Sequence, residues 1–108
     1  MKRFDESYLL LEEMVNDDYY PKFLVEKVKE QILHVIRLLE NGETSQDVIQ
    51  KKLDEMTLAI NGLEEEFEEN DSEIETVARD SIGITVGYVL DWFGIDIDIE
   101  TAIRERDW

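Results

Sequence analysis

An all-α bundle of four main helices plus a short C-terminal helix is the fold that this 108-residue sequence predicts. Three observations predict it. Apolar residues recur at spacings of three and four over most of the chain, the period of an α-helix. Cap and stop residues fall between the periodic stretches. Alternation of the strand type is confined to Asp96-Ile97-Asp98-Ile99-Glu100, five residues without a partner strand.

Each element follows from local spacing. Phe4, Tyr8, Leu11 and Val15 form one stripe, with Leu10 and Met14 beside it, so the chain opens with a short amphipathic helix. Asn16-Asp17-Asp18 breaks that pattern. Pro21 suits the first turn of a second helix, where its missing N–H has no intrahelical partner to lose. Val25, Val28, Ile32, Val35, Ile36 and Leu39 give that helix its buried face, and Gly42 after Asn41 suits a left-handed stop.

Thr44 or Ser45 is a natural N-cap for the third helix. Its stripe runs Ile49, Leu53, Met56, Ile60, Leu63, Phe67, a heptad-like seam, with Leu58 opposite. Ser72 and Glu75 match a capping box, so the fourth helix is expected from Glu73 to about Phe93, stopped by Gly94. Its second half is apolar almost all round, which predicts burial on all sides at the centre of the fold. Asp96 or Asp98 then caps a last short helix through Thr101 to Glu105. Ile99, Ala102, Ile103 and Trp108 are expected to close it onto the fourth helix.

Length and composition bound the rest. A chain this long suits one domain over residues 1–108. At 43% apolar residues it can build a core, which excludes simple disorder. With no cysteine there is no disulfide framework and no thiolate metal site. No apolar run approaches the roughly 20 residues of a membrane span. The opening Met-Lys-Arg-Phe-Asp-Glu-Ser lacks the apolar stretch of a signal peptide, so a cytoplasmic location is expected. Twenty-eight acidic against 11 basic side chains give a net charge of −17, which argues against nucleic acid and anionic membrane as partners.

Few residues have a catalytic setting. His34 lies away from the buried stripe of its helix and reads as a solvated side chain. No nucleophile elbow, phosphate-binding glycine loop or calcium loop is present, so no catalytic residue, cofactor or metal ligand is assigned. Glu65-Glu66-x-x-Glu69 is similar to the Glu-Glu-x-x-Glu half of the all-helical nucleotide pyrophosphohydrolases. The second half fails, because Val77 and Tyr88 stand where a glutamate should precede Asp80 and Asp91. Gly83 and Gly87, one turn apart inside the fourth helix, predict close approach of a neighbouring helix, within the subunit or across a dimer.

The acidic run is the main oddity. Eight of the twelve residues from Glu64 to Glu75 are acidic and none is basic. On the expected fold, Glu64, Glu65, Glu66, Glu68 and Glu69 end the third helix, where the macrodipole is negative and disfavours carboxylates. A local preference broken this way is a place to look for function.

Three segments carry a resemblance: Tyr19 to Val25, Glu66 to Arg79, and Arg104-Glu105-Arg106-Asp107-Trp108. Together they resemble a family of small, acidic, single-domain bacterial proteins classed as a domain of unknown function. The resemblance implies a bacterial cytoplasmic protein and carries over no activity, cofactor or catalytic residue. Bacterial immunity proteins and antitoxins are of similar type, small, acidic and helical, without a shared motif.

The functional expectation is a non-enzymatic module, immunity- or inhibitor-like, that binds a basic protein partner. Its surface is Glu64, Glu65, Glu66, Glu68, Glu69, Asp71 and Glu73. The alternatives are a metal-dependent helical enzyme acting on a phosphate substrate and a mimic of nucleic-acid charge. A monomer or weak homodimer is expected.

Overall fold

A computed structural model describes residues 2–108. The described residues form six helices and no β-strand: α1 (Glu12–Val15), α2 (Lys22–Glu40), α3 (Gln46–Asn61), α4 (Glu64–Glu69), α5 (Thr76–Trp92) and α6 (Ile99–Ala102). The all-α helical bundle is therefore the architecture. Three helices are long; the rest are one or two turns.

α2 and α3 pack along one another, while α5 lies chiefly against α1 and α6. One contiguous core joins them, and the apolar stripes predicted for α2 and α3 fill it. Ser45 caps α3 by accepting the Val48 N–H, and Asp98 caps α6 by accepting the Thr101 N–H. Gly42 (φ 92°) and Gly94 (φ 68°) end α2 and α5 in left-handed conformation. Pro21 is the N-cap of α2, one residue before its first turn.

The opening amphipathic helix is mostly absent. Only Glu12–Val15 is helical, because buried Leu11 adopts a left-handed conformation (φ 56°) and stops the helix from running back. Aromatic contacts take its place. Tyr8 stacks on Tyr88 with ring centroids 3.9 Å apart, and Phe4 meets Tyr88, Trp92 and Phe93. The Tyr88 hydroxyl donates to Asp5, and the Trp92 indole N–H to Arg3 O.

α5 starts at Thr76, not Glu73. Its N-cap is Glu75, with no capping hydrogen bond from a side chain. The Ser72–Glu75 capping box does not form: the Ser72 hydroxyl is buried without a partner, and Glu75 accepts from Tyr20 instead. Nor is the second half of α5 buried all round, since Ile84 is 55% exposed. A Cβ at Gly83 would meet only Ile99, and one at Gly87 would meet nothing within 4 Å, so the close approach expected there is not made inside the subunit.

The chain after α6 is fastened to α3. Arg104 pairs with Asp54 at 2.7 Å, and Asn61 bonds Glu105 O and the Asp107 N–H. Burial pushes the Asp54 carboxyl up, but hydrogen bonds from Arg104 and Gln50 outweigh it and hold it below the usual range. No helix among the described residues is long and apolar enough to cross a membrane.

Candidate partner-binding surface

The expected third helix is two helices. Gly62 (φ −65°, ψ −14°) and Leu63 (φ −88°, ψ −11°) stay in the helical region, but the Leu63 N–H reaches back three residues to Ile60 O. The side-chain phase is preserved across the joint, so Phe67 still lands in the core, fully buried.

This break changes the electrostatics of the glutamates. Glu64, Glu65 and Glu66 are the first turn of α4, where free amide N–H groups favour carboxylates. Only Glu68 and Glu69 remain at a disfavoured end. The expected clash of all five with a helix C-terminus is thus corrected.

The turn after α4 is tightly built. Ser72 N–H bonds Phe67 O and Asp71 N–H bonds Glu68 O, the double bond pattern of a Schellman motif. Asp71 fills its left-handed position at φ 59°, where glycine is usual. Asn70 Nδ2 donates to Glu66 O at 2.8 Å.

Two links hold this segment against the start of α2. Glu66 accepts from Lys27 Nζ through both oxygens at 2.9 and 2.8 Å. The Tyr20 hydroxyl donates to Glu75 Oε1 at 2.7 Å. Burial, then the Glu75 bond, push the Tyr20 phenol far up. Of the seven carboxylates Glu64, Glu65, Glu66, Glu68, Glu69, Asp71 and Glu73, only Glu66 forms an ion pair among the described residues. Glu64 is partly buried, and that burial, followed by the charges of Asp107 and Glu68, raises its carboxyl.

Tyr19 and Phe23 flank this acidic segment and escaped the sequence reading. They are 43% and 49% exposed, and Lys27 Nζ sits 5.8 Å above the Phe23 ring while pairing with Glu66. Burial, then the charges of Glu73 and Glu75, raise the Tyr19 phenol. Phe23, in the first turn of α2 and off its buried stripe, was the available signal; Tyr19 lies in the turn before the helix. His34 is half-exposed, 3.5 Å from Glu30. Among the described residues no three His, Asp or Glu side chains are grouped to hold a metal ion, so Glu65-Glu66-x-x-Glu69 gains no further ligand.

Fold and surface together define a small all-α bundle with a concentrated carboxylate face. The chain belongs to a family of unknown function, DUF5713, which matches residues 4–108. No curated protein and no solved structure matches it.

Proposed function

We propose that this protein is a non-enzymatic binding module that engages a basic protein partner through α4 and the turn after it. The observation that supports the reading is the set of carboxylates left without ion pairs on a firmly anchored helix and turn. Charge placed this way speeds encounter with a basic partner and rejects acidic ones. Exposed Tyr19 and Phe23 beside it offer the aromatic contact area in which interface energy concentrates.

The test compares wild type with a variant carrying Glu65→Gln, Glu68→Gln, Glu69→Gln, Asp71→Asn and Glu73→Gln. Each is immobilised, exposed to lysate of the source cells and washed with rising salt. The reading expects wild type to retain a basic protein that salt releases and the variant does not hold. Equal retention by both would leave this surface only a role in solubility.

A further inference from the structure

A groove of about 600 Å³ runs between the first half of α5 and the segment around α6. Its apolar lining is Ile84, Ile99, Ile103 and Trp108. On α5, Ile84 and Val77 stay 55% and 39% exposed.

The charges of this groove differ from those of the rest of the chain. Arg79, Asp80, Glu100 and Arg106 line it and cancel, in a protein of net charge −17. Glu100 and Arg106 pair with each other at 3.0 Å. Arg79 and Asp80 form no ion pair among the described residues; Arg79 reaches only Thr76 Oγ1, at 3.3 Å in its own helix. Sequence neighbours on a helix do not face each other, so the two cannot pair within one subunit.

We propose that the groove is the interface of a two-fold homodimer, in which Arg79 of each subunit pairs with Asp80 of the other. A two-fold axis matches a patch to itself, so one free cation and one free carboxylate become two reciprocal ion pairs. A second copy of a strongly acidic chain is repelled by acidic faces and meets no such barrier at a neutral one. Each subunit also covers the other's Ile84. The same arrangement accounts for the glycines. A Cβ at Gly83 would meet only Ile99, at 3.9 Å, and one at Gly87 would meet nothing within 4 Å. Packing inside the subunit therefore requires neither, although each costs about 1 kcal/mol against alanine in a helix interior. A second helix crossing closely over α5 supplies the requirement.

Sedimentation velocity over a range of concentrations tests this, with circular dichroism to verify folding. Wild type is expected to be a reversible dimer. Arg79→Asp and Asp80→Arg should each weaken dimerisation about tenfold or more, because each sets like charges face to face twice. The double variant, with the charges exchanged, should return to within about threefold of wild type, since its pairs are restored. Ile84→Lys, at an exposed position that the fold does not need, should be a folded monomer. A wild type that stays monomeric into the millimolar range overturns the proposal. So does a dimer indifferent to either single reversal or to Ile84→Lys, or a folded double variant that fails to recover.

Discussion

The backbone N–H of Leu11 donates to Thr85 Oγ1 at 3.0 Å, a buried bond between residues 74 positions apart. It holds Leu11 in its left-handed conformation against α5. Thr85→Val keeps the shape and removes the acceptor, leaving a buried N–H unpaired. The expected loss is about 1–3 kcal/mol. Thr85→Ser, which keeps the hydroxyl, should lose less. Urea denaturation of both variants checks this; a valine variant as stable as wild type would show that the bond contributes nothing.

Tyr20 and Glu75 make the second prediction. Tyr20→Phe preserves the buried ring but removes the donor to a partly buried carboxylate. The stability should fall by about 1–2 kcal/mol. Glu75→Gln, which can still accept the hydroxyl proton, should fall by less. The same denaturation experiment reads both.

Glu64 should show an inverted pH response. Its carboxyl is raised in the folded state, so the stability tied to its protonated form is present at low pH and lost as pH rises through that raised value. Glu64→Gln should therefore raise the melting temperature at pH 7, with the gain fading below about pH 4, where the unfolded chain is protonated too. Melts across that range decide it; a gain that grows on acidification would contradict the assignment.

The joint at Gly62–Leu63 gives charge changes on α4 opposite signs at its two ends. Glu65→Lys, in the first turn, should destabilise by a few tenths of a kcal/mol or more, and Glu69→Lys, in the last, should stabilise by about the same. Salt should shrink both effects. Matching signs at low salt would mean that α4 behaves electrostatically as the end of α3.

Much of this fold could be read from spacing. Of the stripe Ile49, Leu53, Met56, Ile60, Leu63 and Phe67, all are buried as its period requires except Leu63 at the joint, which is half-buried. The joint inside it was invisible for a physical reason. Both joint residues keep helical dihedrals, so the side-chain period continues while the hydrogen-bond register changes. Only the side chains leave a trace in the sequence. The opening segment failed differently: Phe4, Tyr8 and Leu11 have helical spacing, but contacts with Tyr88, Trp92 and Thr85 outweigh local preference. At the candidate surface, the run of carboxylates was legible by composition alone. Tyr19 and Phe23 were not, because their place beside the run depends on how α2 meets α4.

The aromatic contacts of Phe4 and Tyr8 with Tyr88, Trp92 and Phe93 close a loop containing nearly the whole chain. In an unfolded chain such a loop is costly in entropy, whereas α2 and α3, joined by a short turn, meet cheaply. The order of assembly expected from this is that the α2–α3 hairpin forms early and the aromatic cluster closes after the intervening helices have shortened the span. Weakening the cluster, as in Tyr8→Ala, should then speed unfolding while leaving the folding rate nearly untouched.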